Sequence, residues 1–450
     1  MAGYYYIRML LFYTHTISPR LQYIVDFTGK ELFDEPITIT TNLQEFQNFE
    51  GPRLNYSNND FSEQEFYLKP VSLLFETGIH PQTIECFEAD YQKAFFQTRG
   101  DLPFDILAAS FYLLSRYEEY LPHQKDEYGR YSHSNSLAFK ENFLHLPLIN
   151  IWLDDFKKKL KKKFPGIVFT RRPFHFIPTY DIDIAWSYRH KGIVRNLAGF
   201  ARSVKEGKWM QLKERWNVLV SKHTDPYDSY EWLDALHLYC KIKPIYFFLV
   251  AQKWQGYDRN TPTSSKALQE LIAYFSVVYK IGLHPSWQSS VAENNNTVLE
   301  EKEWLEVIID KPVEHSRQHY IKFTLPQTFR RYIECGLLKD YSMGYGSING
   351  FRASVASSFF WFDLEKNETT ALQLFPFCFM DANAFYEQHL TPQQAYEELT
   401  HYYNTIKKFR GLFVTIWHNQ FLGTDSTFAG WKEVYELFMR ENIYWDAYSY

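Results

Sequence analysis

The 450-residue chain has only four cysteines, Cys86, Cys240, Cys335 and Cys378, far apart and without a Cys-x-x-Cys pair. That scarcity excludes a disulfide framework and a cysteine-type zinc site, and leaves the thiols as small buried apolar groups. Positive charge is not in excess either: 48 Lys and Arg against 53 Asp and Glu give a net charge of -5. Nucleic-acid-binding domains are ordinarily basic, so that class is set aside. No stretch approaches the roughly 18 consecutive apolar residues of a membrane helix. The apolar residues 9–13 are followed at once by Thr14-His15-Thr16, too short and too polar for the core of a secretion signal, so a cytoplasmic location is expected. Internal repeats and low-complexity tracts are lacking as well.

Aromatic rings, in contrast, abound: 39 Phe, 34 Tyr and 12 Trp make up 19% of the chain. They build large cores, and Trp and Tyr also line carbohydrate and small-molecule clefts, so composition does not choose between these. With 45% apolar and 22% charged residues the chain is an ordinary globule. Its length implies two domains, or one large barrel with an extension.

Residues 21–27 (LQYIVDF) alternate like a strand that ends at Thr28-Gly29. Residues 104–120 read as a largely buried helix with Arg116, Glu118 and Glu119 at its polar end. A second helix, 148–164, closes on KKKLKKK. This lysine run suits a solvated helix end, where positive charge meets the negative end of the dipole; contact with an anionic polymer is the alternative. Pro165-Gly166 and Arg171-Arg172-Pro173 mark a boundary. We therefore expect a smaller α/β domain over 1–168 and a second domain over 169–450. In the second, short apolar runs (174–180, 244–250, 277–283, 320–323, 372–379 and 412–417) alternate with longer amphipathic segments. That alternation predicts a parallel sheet, and so many strands predict a distorted (β/α) barrel with its functional groups at the carboxyl ends.

Polar residues stand at several of those ends. Asp181 and Asp183, at i and i+2, share one face of a strand. Two adjacent acids repel, so a buried pair needs a cation or a shared proton; a helix cap or loop acid is the plain alternative. His284, between Gly282-Leu283 and Pro285, is held stiffly at a strand end and suits zinc, unless it is merely hydrogen-bonded. His315 and His319 form an HxxxH pair, but Tyr-Ile-Lys-Phe after it reads as strand, and spacing alone would not then bring both to one face. Arg352 follows Gly350 beside an aromatic run and could clamp a carboxylate, or lie on the surface. Asp381 ends one further strand and His418 another, the latter placed for proton transfer to a leaving group.

The order Asp-x-Asp, strand-end His, loop Arg, Asp, strand-end His resembles the polysaccharide deacetylase superfamily (NodB homology, carbohydrate esterase family 4). It is similar above all to the Bacteroidetes-type branch in which an N-terminal domain precedes the deacetylase-like barrel. The resemblance covers roughly residues 172 to 450, and residues 108–120 (AASFYLLSRYEEY) are similar to that branch too. It implies Asp181 as general base and Asp183 as metal ligand, with PIYFFLV (244–250) matching a structural strand. His284 matches the first His of the metal motif H[ST]xxH, but Gln288 stands where the second belongs. Either His319 supplies that ligand from a neighbouring strand, which we favour, or His315-Ser316-Arg317-Gln318-His319 is itself the motif. Arg352 would orient the base, Asp381 would tune the catalytic His, and His418 would be the general acid. The implied cofactor is a divalent metal, zinc first. The implied reaction is removal of N- or O-linked acetyl groups from a carbohydrate or glycan precursor. Trp287, Trp361 and Trp417 either stack on sugar faces or pack. The alternatives are a non-catalytic glycan-binding protein on a degenerate barrel, and a glycosidase using Asp181 and Asp381.

Overall fold

In the computed structural model, which describes residues 9–90, 92–291 and 295–443, Ser18 starts the first helix. Its hydroxyl accepts from the Leu21 N–H, Pro19 presets the first turn, and the helix runs Pro19–Phe33. The strand expected over 21–27 is therefore helical. Tyr23, Ile24, Val25, Phe27 and Thr28 are all buried, so apolar residues crowd most of the circumference and blur the helical period.

This helix belongs to the first of two units. That unit comprises the chain up to His175 together with Gly350–Pro376 and Thr405–Leu412. Its parallel sheet has the order β2-β1-β3-β4, from β1 (Leu11–Tyr13), β2 (Thr38–Thr40), β3 (Arg53–Tyr56) and β4 (Phe66–Leu68). A hairpin pairs β5 (Phe87–Ala89) with β6 (Gln92–Ala94). Leu148–Lys163 is helical as expected. The helix expected over 104–120 is shorter, Ile106–Leu114, because Arg116 turns left-handed at φ 54° and the chain tightens into a 3-10 turn, Tyr117–Tyr120.

That turn brings charges together inside the unit. Arg116 contacts Glu118 and Glu119 at 2.7 Å each. Glu119 also accepts from Arg352 Nε at 2.8 Å and Nη2 at 2.6 Å. Other contacts tie residues 350–376 to the same unit: Asn150 accepts from Ala356 N at 2.8 Å, and Phe362 packs 5.2 Å from Phe111. Phe362 lies on β12 (Phe359–Asp363), which pairs antiparallel with β13 (Glu368–Leu374).

Among the described residues the second unit carries seven strands: β7 (His175–Ile182), β8 (Ile245–Phe248), β9 (Lys280–Leu283), β10 (His315–Ser316), β11 (Lys339–Asp340), β14 (Phe379–Met380) and β15 (Leu412–His418). Their order is β11-β10-β9-β8-β7-β15-β14. The pairings from β11 to β7, and of β14 with β15, are parallel. Helices such as Tyr230–Cys240, Lys266–Val278 and Asn296–Ile309 lie between strands in sequence. This is the mixed α/β, parallel-rich sheet expected. Among the described residues no pairing closes it into a barrel.

The strand expected over 320–323 starts earlier, as β10, and 319–321 form a tight turn. Tyr320 and Ile321 take φ of 60° and 53°, incompatible with a strand. Gly282 on β9 is required by packing: a Cβ there would lie 2.4 Å from the Phe247 ring and 3.1 Å from the His315 carbonyl. Among the described residues no helix is long and apolar enough to cross a membrane. All four cysteines are free thiols, and all but Cys86 are buried.

Candidate metal centre

The parallel strands of the second unit end on one set of polar side chains, as expected where carboxyl ends line a functional crevice. Asp181 is near the end of β7 and Asp183 just beyond it. His284 follows β9, Arg317 and His319 follow β10, Asp381 follows β14, and His418 closes β15.

Two imidazoles are oriented by their far nitrogens. His284 Nδ1 donates to the Arg317 carbonyl at 2.5 Å, and His319 Nδ1 donates to Asp258 Oδ1 at 3.0 Å. With Nδ1 so engaged, each ring turns its Nε2 toward Asp183. His284 Nε2 lies 3.2 Å and His319 Nε2 3.7 Å from Asp183 Oδ1. These spacings bracket the tetrahedron edge of about 3.3 Å that zinc bond lengths near 2.0–2.1 Å imply. Asp183 Oδ1 is buried and has no hydrogen-bond partner, close to two nitrogens but satisfied by neither. Burial would raise the Asp183 pKa; His319, His284 and His418 instead hold it far below the usual carboxylate range. Asp183, His284 and His319 thus form a group that could hold a metal ion.

Asp258 does more than orient His319. It also accepts from Trp287 N at 2.7 Å and Gln288 N at 3.0 Å. Gln288, at the expected position of the second His, thus contributes its backbone N–H to the carboxylate that fixes His319. Carboxylates behind a ligating His typically govern metal affinity by 10–100-fold, roughly. Asp258→Asn is expected to weaken zinc binding by about that factor, read by competition with a chromogenic chelator. His315 is elsewhere: its ring stacks on Tyr341 at 5.6 Å, and burial with Lys339 and Lys280 nearby lowers its pKa to about 4.

Asp181 is held from the other side. Arg317 Nη1 donates to its Oδ1 at 2.8 Å, while Arg317 Nε donates to the Tyr341 carbonyl at 3.2 Å. The guanidinium lies 4.5 Å over the Phe247 ring, the ring that Gly282 makes room for. Arg352, expected to orient Asp181, belongs to the first unit and is paired with Glu119. Its Gly-flanked loop serves a buried ion pair, and the guanidinium on Asp181 is that of Arg317.

Asp381 and His418 form a buried pair. His418 Nδ1 donates to Asp381 Oδ1 at 2.6 Å, and the His418 backbone N–H to Oδ2 at 2.7 Å. Burial works to lower the His418 pKa, yet Asp381 above all, helped by Asp183 and Asp181, raises it to about 10. His418 Nε2 faces Asp183 Oδ2 at 3.8 Å. Trp361 and Trp417 are fully buried and serve packing, whereas Trp287 is half-buried.

Sequence reasoning missed Asp258 and Arg317. Arg317 lay inside the HSRQH segment, and Asp258 in the polar loop after β8, where no spacing marks it.

A family model described as a family of unknown function (DUF7033) matches residues 10–165, within the first unit. No curated protein matches the chain. A solved structure, "putative polysaccharide deacetylase from Mycobacterium smegmatis", is distantly similar, with a TM-score of 0.38 and 14% identity over 61% of this chain and 86% of that one.

Proposed function

We propose that the second unit is a metal-dependent hydrolase that removes N- or O-linked acetyl groups from a saccharide. One arrangement supports this reading: two imidazoles and a bare carboxylate oxygen converge between a carboxylate pinned by arginine and a histidine charged by its own aspartate. Zinc suits that donor set, and when bound it supplies Lewis acidity toward an acyl oxygen and an attacking water.

The residues divide the remaining work. Arg317 holds the Asp181 carboxylate in one orientation, so that it accepts the proton of the water attacking the acyl carbon. His418, cationic at neutral pH, delivers its Nε2 proton to the departing nitrogen or oxygen as the acyl bond breaks. Asp381 keeps that imidazole oriented and stabilises its charge. Both Asp381 oxygens are engaged by His418, which disfavours the glycosidase reading that would need Asp381 free.

Elemental analysis and acetate release test the proposal together. Purified protein is expected to carry close to one zinc per chain and to release acetate from acetylated saccharides until chelated. His319→Ala is expected to lose the metal and His315→Ala to retain it. The opposite pattern, or release indifferent to chelation, overturns the reading.

A further inference from the structure

The loop after β8 turns its acid inward and its rings and cations outward. Asp258 is fully buried, spent on His319 and on the N–H groups of Trp287 and Gln288. Tyr257, 43% exposed, packs 4.5 Å from Trp287 and 4.8 Å from Tyr320. The Tyr320 ring in turn lies 4.8 Å from that of His319, so this aromatic wall is continuous with the candidate metal centre. The backbone is bent to make it: Tyr320 and Ile321 are successive left-handed residues, the second β-branched, and such strain gathers at functional sites.

Trp287 of this rim, and Trp254 earlier in the same loop as Tyr257, each carry a cation on the ring. Lys322 Nζ lies 3.5 Å from the Trp287 ring centre. Arg195 lies 3.5 Å and Arg259 5.7 Å from that of Trp254, which is 38% exposed. Arg195 Nη1 is buried without a hydrogen-bond partner. An ammonium on an indole blocks simple stacking there, but it offers an aromatic surface and a positive charge together. A neutral sugar would use only the rings. A ligand with a C–H face and a carboxylate would use both.

We propose that the rim formed by Tyr257, Trp287, Tyr320 and Lys322 is a subsite for an acidic saccharide. The pyranose ring lies against Tyr257, and its carboxylate is taken by Lys322, with Arg259 and Arg195 extending the positive field. Binding itself does not depend on the hydrolase reading; only the subsequent deacetylation does, since a ring seated there brings its acetyl group beside His319.

Calorimetry on the zinc-loaded 450-residue chain tests this with an acetylated oligogalacturonate and a neutral hexose oligomer of the same length. The acidic oligomer is expected to bind at least about tenfold tighter, with affinity falling as salt rises. Lys322→Gln is expected to weaken it about tenfold, the scale of one charge-assisted contact, and Tyr257→Ala by about the same factor through loss of the stacking face. Zinc content and thermal midpoint are expected to stay unchanged in both. Equal affinity for the two oligomers, or undiminished binding in both variants, overturns the subsite. Chelator-sensitive acetate release from a small acetyl ester alongside equal affinities would sink the subsite and spare the hydrolase. Tight acidic-oligomer binding without release from any acetyl substrate would do the reverse.

Discussion

Asparagine in place of Asp181 is expected to cut acetate release by about a hundred- to ten-thousand-fold while leaving zinc at its wild-type stoichiometry. The substitution keeps the shape of the side chain and leaves a carbonyl oxygen to accept from Arg317, now at 2.8 Å on the carboxylate. What disappears is the capacity to take a proton. Asp183, whose bare oxygen belongs to the candidate ligand group, is untouched. Single-turnover rates with metal analysis on the same sample provide the measurement. Loss of zinc together with turnover would mean that the two aspartates exchange the roles assigned to them.

The second large effect lies in the first unit. Glu119→Gln is expected to destabilise it by up to about 3–5 kcal/mol, because the buried Arg352 would lose its ionic contact with Glu119 and the buried Arg116 one of its two, that with Glu118 remaining. Burial alone would raise the Glu119 pKa, but Arg352 and Arg116 lower it to about 2. A carboxylate depressed in the folded state stabilises above its unfolded pKa and loses that contribution as pH falls through the folded one. Wild-type stability should therefore decline from about pH 5 toward pH 2, with a slope that the glutamine variant partly lacks. Denaturant unfolding at neutral and acid pH resolves both quantities, and a variant as stable as wild type would remove the triad from the unit's energetics.

Part of the candidate metal centre is legible in the sequence because Asp183 and His284 each end an apolar run. Asp183 and His284 follow β7 and β9 directly, and the polar terminus of a buried strand is a signal that sequence carries. His319 is preferred to His315 because residues 281–284 resemble the strand that leads into the family's metal motif, although the strand expected near His319 is a left-handed turn. Arg352 shows where such reading stops. Its loop, glycine and aromatic neighbours suited a clamp on a carboxylate, and it does clamp one, but 233 residues earlier in the chain. Pairing over such separations follows from the folded path, and no window of sequence contains it. The helix Pro19–Phe33 failed for a different reason: burial on most sides erased the amphipathic stripe, and Ser18-Pro19 was the remaining sign.

Gly282 makes no contact with any reacting group, yet drift at that position is closed. One methyl there would press on Phe247, the ring that floors Arg317, and through the guanidinium would tilt the carboxylate expected to handle protons. The alignment of the Asp181 carboxylate is therefore inherited from a carbon atom the chain never placed.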